Sequence, residues 1–236
     1  MSKILVIPDI HLKPWMFDDA ANLLDEGVAD NCVFLGDLID DWYKQEDKEL
    51  YTKTFEAAIT FFKEHPDALY CIGNHDISYV WEKLETGFSH WCIDICQHYM
   101  KLLSSTLGNR FAFVHRVDNI LFSHGGVTEL FVKRNWGVKR TDEEIINSIN
   151  LQLFSERGAV CMWNDISPIW YRPDMAFTMW KEYKYLQVTG HTPVKAAYQN
   201  GSLVVCDTFS TYSNGDPIGN SKFILVDSDN KGWREI

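Results

Sequence analysis

Short apolar runs that stop abruptly at Asp, His or Asn recur through this sequence, and their spacing restricts the fold more than any other feature. Residues 3–8 lead into Asp9-Ile10-His11, residues 31–35 into Gly36-Asp37-Leu38-Ile39-Asp40, and residues 68–72 into Gly73-Asn74-His75-Asp76. Two later runs stop at Ser123-His124-Gly125-Gly126 and at Gly190-His191-Thr192-Pro193. Between the first three runs lie stretches with helical spacing. Residues 14–26 carry Phe17, Ala20, Ala21 and Leu24, and residues 47–64 carry Leu50, Thr54, Ala57, Ala58, Phe61 and Phe62 on one side, ended by His65-Pro66. Strand-length runs alternating with helices imply a parallel sheet with crossover helices. Such a sheet gathers its strand ends on one edge, so segments far apart in sequence meet in space.

The rest of the chain has a different rhythm. Residues 77–107 are aromatic and helix-permissive (Tyr79, Trp81, Phe88, Trp91, Tyr99) and read either as a helical insertion shaping access to a site or as ordinary helical core. Residues 110–115 and 119–123 flank Arg116-Val117-Asp118 as a hairpin or tight connection. Residues 141–155 read as a helix opened by a capping box, Thr141-Asp142-Glu143-Glu144. Residues 195–199 and 203–207 read as a hairpin turned at Asn200-Gly201, and residues 223–227 as a late strand. Asn200-Gly201-Ser202 also fits a glycosylation sequon, but the turn reading is preferred. The whole suggests two packed sheets with helices outside.

At 236 residues, 46% of them hydrophobic and 14% aromatic, the chain supports a sizeable core without disulfide help. It has no Ser/Gly/Pro-rich linker and no repeat period, so residues 1–236 read as one domain, with 77–107 as its insertion. With a net charge of −11, a basic nucleic-acid footprint is not expected. Bound divalent cations would nonetheless make the local field at a site positive. Cys32, Cys71, Cys161 and Cys206 sit among apolar neighbours and read as buried free thiols, while Cys92 and Cys96 share a helix face. Met1-Ser2-Lys3 runs directly into Ile4-Leu5-Val6-Ile7, too short for a signal-peptide core, and no stretch approaches membrane-spanning length. A cytoplasmic protein is the expectation.

Asp, His and Asn are the ligands of hard-to-borderline divalent metals, so the strand-end segments point to a two-metal hydrolytic site. Asp9 and His11 are two apart, which at a strand end turns both to one side, although the pair alone is as easily coincidence. Gly36 permits a sharp turn, and Asp37 brings two oxygens that can bridge two metals. Asp40 is placed to orient a neighbouring His; its plain alternative is a helix cap or solvated charge. Asn74 offers a neutral carbonyl oxygen. A protonated His75 beside the metals can stabilise phosphoryl charge and protonate a leaving alkoxide. His124 and His191 would each read as structural alone; in this order, after the other three segments, they read as functional. His65, His90, His98 and His115 lack that context and read as structural or exposed.

Taken together the five segments resemble the calcineurin-like metallophosphoesterase family over residues 9–191. The resemblance implies an α/β fold, a four-layer αββα sandwich of two mixed β-sheets flanked by helices, with a dinuclear centre. It implies Asp9, His11 and Asp37 on the first metal and Asp37, Asn74, His124 and His191 on the second. It implies His75, oriented by Asp40, as proton donor, and in-line attack by a metal-bridging hydroxide without a covalent phosphoenzyme. Mixed carboxylate, amide and imidazole ligands suit Mn, with Fe or Zn as the other candidates.

Finer detail points to the phosphoprotein phosphatase and diadenosine tetraphosphatase side of the family. Many phosphodiesterase branches carry Gly-His-x-His at the last motif; here Pro193 replaces the second His, leaving the first metal one ligand short. The segment Ser167-Pro168-Ile169-Trp170-Tyr171-Arg172-Pro173 resembles one in bacterial phosphatases of that branch, and Arg172 is a candidate phosphate clamp. Two departures stand out. Asp41-Trp42 occupies the place where protein phosphatases usually carry Arg-Gly, and Asp76 the place of a Glu. The expected substrate is a phosphomonoester: a phosphorylated small molecule, a nucleotide or a phosphoprotein. The alternative is a nucleotide hydrolase, either a diadenosine polyphosphatase or a phosphodiesterase. A scaffold without chemistry is disfavoured because every motif residue is intact. A serine hydrolase is disfavoured because no Gly-x-Ser-x-Gly elbow exists.

Overall fold

The computed structural model describes residues 2–137 and 139–236. In chain order the elements are β1 (Lys3–Ile7), α1 (Trp15–Asp25), β2 (Asn31–Phe34), α2 (Lys48–Glu64), β3 (Leu69–Cys71), α3 (Asn74–Trp81) and α4 (Ile93–Leu107). They continue with β4 (Phe111–Ala112), β5 (Val114–Val117), β6 (Ile120–Ser123), α5 (Glu129–Trp136), α6 (Asp142–Asn150) and α7 (Gly158–Met162). The last are β7 (Leu186–Pro193), β8 (Tyr198–Asn200), β9 (Leu203–Asp207), β10 (Ile224–Asp227) and β11 (Trp233–Glu235). One sheet runs β11-β10-β1-β2-β3-β4, the other β5-β6-β7-β9-β8. The fold is the αββα sandwich, two mixed sheets between layers of helices.

Side-chain alternation explains the layering. Ile4, Val6, Val33 and Leu35 face Phe122, Val188, Val204 and Cys206 of the second sheet in a dry layer between the two. Their neighbours Leu5, Ile7, Cys32 and Phe34 point the other way, into the core shared with α1 and α2. Phe17, Phe34, Phe61 and Phe62 form an aromatic cluster there, with ring centroids 4.9–6.3 Å apart. Both α2 and α6 start where the sequence says. Asp47 accepts the Leu50 N–H, and Thr141 and Glu144 form the reciprocal capping box. The α6 helix ends at Asn150, and residues 151–154 continue as a 3₁₀ turn.

Several expectations are revised. Residues 110–115 are not one strand: β4 pairs with β3 in the first sheet, and β5 turns into the second to pair with β6. The hairpin at Asn200-Gly201 is present, but its first arm is only Tyr198–Asn200. The 77–107 stretch divides in two. Helix α4 is core, packed on α2 through stacked Phe55 and Tyr99. Only the connection before it, at Glu85, Thr86 and Gly87, reaches the cavity lined by Asp9, His11 and His75. All six cysteines are free thiols; Cys161 is half-buried and the other five are buried. Burial pushes the Cys32, Cys71 and Cys96 thiols well up, so they stay protonated and unreactive. Among the described residues, no helix is long and apolar enough to cross a membrane.

Candidate functional site

Within the first sheet β1, β2 and β3 run parallel, and within the second β6 and β7 do. The C-terminal ends of these strands lie at one edge of the sandwich, where Asp9, Asp37, Asn74, His124 and His191 come together. Several of these residues sit outside ordinary strand geometry. His11, Asp37, Asp40 and His191 all have positive φ, at 43°, 48°, 65° and 59°. Backbone held in this sparsely populated region is a common feature of functional sites. His11 therefore reaches Asp9 through a left-handed turn, not through the two-residue repeat of a strand. His191 does not follow β7 but lies within it, where the pairing with β9 shifts register between Thr189 and Pro193. Gly36, at φ 101°, has no room for a side chain: a Cβ would stand 2.6 Å from the Gly73 nitrogen.

Each histidine is fixed by one ring nitrogen and turns the other inward. His11 Nδ1 donates to the Asp40 carbonyl at 2.8 Å, His124 Nδ1 to the Leu35 carbonyl at 2.8 Å, and His191 Nε2 to the Trp170 carbonyl at 3.2 Å. The inward atoms crowd together. His124 Nε2 lies 2.9 Å from Asn74 Oδ1, 3.0 Å from His191 Nδ1 and 3.2 Å from Asp37 Oδ2. His11 Nε2 lies 3.9 Å from both Asp9 Oδ2 and Asp37 Oδ2. Two groups could thus hold a metal ion, Asp9–His11–Asp37 and Asp37–His124–His191, with Asp37 common to both. This donor set fits the expected pair of divalent ions: lone pairs converge, and backbone carbonyls fix the ring tautomers.

The electrostatics agree. Burial, then the like charges of Asp207 and Asp37, push the Asp9 carboxyl well up. Burial works against the Asp37 carboxylate too, but His124 and His75 outweigh it and hold Asp37 well below its usual range. Burial lowers both His11 and His191, which favours the neutral, ligating form. Burial opposes charge on His124 as well; Asp37 and Asp9 override it and raise this group to about 9. A cation between these groups would take the place of that proton.

His75 and Asp40 form a second unit beside the first. Helix α3 begins at Asn74, so its N-terminal end opens on the site, and the His75 N–H donates to Asp37 Oδ1 at 3.0 Å. His75 Nδ1 donates to Asp40 Oδ2 at 3.0 Å. Burial disfavours its charge, yet Asp37, Asp40 and Glu85 together raise it to about 10. Asp40 is neither a helix cap nor a solvated charge: its other oxygen accepts hydroxyls from Tyr51 and Tyr79, both at 2.6 Å. Asp76, the last residue of that segment, ties the two loops together. It accepts from the Asp37, Leu38 and Gly73 amides and from the Tyr70 hydroxyl.

All of this opens into a cavity of about 330 Å³. Arg172 lines it, with Nη1 bonded to the His191 carbonyl at 2.7 Å. The 167–173 segment packs against the His124-Gly125-Gly126 turn, where the Gly125 N–H reaches the Pro168 carbonyl. Asp41, Trp42 and Glu85 stand at the cavity, and the Trp42 indole N–H donates to the Thr211 carbonyl at 2.9 Å. Three participants carry no motif signal in the sequence. Tyr51 and Tyr79 look like ordinary apolar-face residues. Asp207 ends a visible strand but belongs to no motif, and it is fully buried at the cavity wall. His115 is buried between the Tyr70 and Arg110 carbonyls, away from the site, as a structural histidine.

Two mixed sheets with ligand-type side chains converging at their strand ends define a metallophosphoesterase-type α/β protein. The model of the calcineurin-like phosphoesterase family matches residues 2–209, and the chain belongs to that family. Hydrolysis of phosphate esters is accordingly its expected activity. No curated protein matches the chain significantly. Among solved structures it is similar to the cold-active protein-tyrosine phosphatase of a psychrophilic Shewanella species. That likeness has 16% identity, spans 100% of this chain and 80% of that one, and has a TM-score of 0.57. It is also similar to a hypothetical protein from Pyrococcus horikoshii OT3, at 10% identity over 100% of this chain and 87% of that one, with a TM-score of 0.51. At such identities the likeness speaks for the fold alone.

Proposed function

We propose that this protein is a dinuclear-metal-dependent phosphomonoesterase, nearest the bacterial phosphoprotein phosphatase and diadenosine tetraphosphatase branch of its family. The observation that carries this is the convergence of Asp37, Asn74, His124 and His191 on one point, with the Asp40–His75 pair alongside. Asp9, His11 and Asp37 would hold one cation, and Asp37, Asn74, His124 and His191 the other, with Mn as the favoured metal. When bound, such a pair supplies charge neutralisation and a hydroxide nucleophile at neutral pH. The other steps fall to the side chains. His75, with Nδ1 held by Asp40, presents Nε2 to protonate the leaving oxygen. Arg172 has guanidinium nitrogens beyond the one bonded to His191, and these would clamp phosphate oxygens. With its oxygen turned to His124, the Asn74 amide would donate to the phosphate.

The same reading takes residues 1–236 as one cytoplasmic domain acting on a phosphorylated small molecule, nucleotide or phosphoprotein. Pro193, in place of a second His, supports monoester over diester hydrolysis. A second reading, a nucleotide hydrolase, is favoured by Trp42. It lines the cavity, the residue is 43% exposed, and its indole is oriented by the bond to Thr211, a fitting platform for a base. The rates of a chromogenic phosphomonoester and its matched diester on Mn-loaded protein separate the two. Monoester preference supports the first reading; diester preference overturns it and turns the search to nucleotides.

A further inference from the structure

Strand β9 runs parallel to β7, and its end carries one more acid to the edge where the other site residues collect. That residue is Asp207. It is fully buried, lies opposite Pro193 in the β7–β9 pairing, and lines the cavity with Asp9 and His11. Its only hydrogen-bond donors among the described residues come from Ser210, the N–H to Oδ1 at 3.3 Å and the hydroxyl to Oδ2 at 2.8 Å. Among the described residues no Lys, Arg or His nitrogen comes within 4.0 Å of it. Lys13 acts on it only from a distance, since its amine is turned to the Ile10 and His11 carbonyls. A buried carboxylate without a counter-ion is costly, and the side chains facing it are those of the first cation's half of the site.

We propose that Asp207 is a further residue of the metal centre, acting from beyond the ligands on the cation assigned to Asp9, His11 and Asp37. The inference rests on the two-cation reading above. It places a carboxylate directly across from Pro193, where the motif lacks its second His. It also makes the two halves chemically unequal. The first has three carboxylates and one imidazole, and suits a hard cation such as Mn or Mg. The second has the shared Asp37 carboxylate, two imidazoles and an amide, and suits a softer one.

The test needs no substrate. Metal-stripped protein is titrated with Mn²⁺, with free Mn²⁺ followed by electron paramagnetic resonance and heat by calorimetry. Wild type should take up two equivalents. Asp207→Asn should weaken one of the two steps by at least about tenfold and leave the other in place. Ser210→Ala, which removes a donor that orients Asp207, should weaken the same step less. Unchanged affinities in folded Asp207→Asn overturn the inference, as does equal weakening of both steps. If Asp207→Asn does not fold by circular dichroism, Ser210→Ala decides: an unshifted step overturns the inference. Wild type that takes up fewer than two equivalents overturns the two-cation reading and this inference together. Two equivalents in both proteins at equal affinity overturns only the role of Asp207.

Discussion

Asp40 grips His75 from the buried side. Its Oδ2 accepts the His75 Nδ1 proton at 3.0 Å, while its Oδ1 is filled by the Tyr51 and Tyr79 hydroxyls. The imidazole is thereby fixed in tautomer and direction, with Nε2 left for the cavity. His75→Ala should keep its metals and lose roughly 10²–10⁴-fold in kcat for an alkyl phosphate, whose leaving oxygen needs a proton. The loss for an activated aryl phosphate should be much smaller. Equal losses for both would assign His75 to charge stabilisation instead.

The tyrosines behind Asp40 extend this prediction. Removing a hydrogen bond to a charged group costs about 1.5–3 kcal/mol, and about 1.4 kcal/mol is tenfold in rate. Tyr79→Phe should therefore lower kcat about tenfold with KM and metal content little changed. Metal loss in this variant would show that the tyrosine supports the fold of the site, not the proton donor.

Asp76 holds the Gly36–Asp37 turn against the Gly73 turn with four accepted hydrogen bonds. An amide in its place turns an NH₂ toward donors. Asp76→Asn should destabilise the protein by roughly 2–4 kcal/mol in urea unfolding. It should also weaken metal uptake, because Asp37 loses its anchor. Wild-type stability in this variant would contradict the role given to Asp76.

His115 gives a pH dependence. Burial pulls it down to about 4, partly offset by the carbonyls of Tyr70 and Arg110. An unfolded His titrates near 6.5. Between those values the unfolded chain binds the extra proton, so stability is full above about 6.5 and falls as pH drops toward 4. One such group changes stability by at most about 1.4 kcal/mol per pH unit. Urea unfolding of wild type and His115→Gln from pH 4.5 to 7.5 should show a shallower slope in the variant. Parallel slopes would refute the assignment.

The fold was legible where hydrophobic period and strand-end chemistry coincide. Apolar runs before Asp9, Asp37 and Asn74 announce parallel strands, and Asp47 and Thr141 announce helix starts, because these signals are local. What stayed hidden depends on tertiary context. Nothing in the sequence says that β4 and β5 part company after Ala112, since both stretches are apolar. The three-residue β11 is too short to show alternation. In the site, residue types were readable but geometry was not. His191 reaches inward from a bulge, and His11 from a left-handed turn, conformations that sequence pattern does not encode. Tyr51 and Tyr79 look like core residues until Asp40 is seen between them. Asp207 lacked a motif partner, although its place at a strand end was a usable sign.

The central claim is that phosphoester hydrolysis requires two cations held across Asp37. Metal-stripped protein titrated with Mn²⁺, with hydrolysis of a chromogenic phosphomonoester followed at each addition, tests it most directly. The account predicts negligible rate in stripped protein and a rise that saturates near two equivalents, absent in Asp37→Asn. A rate that survives stripping, or that Asp37→Asn retains, would contradict it.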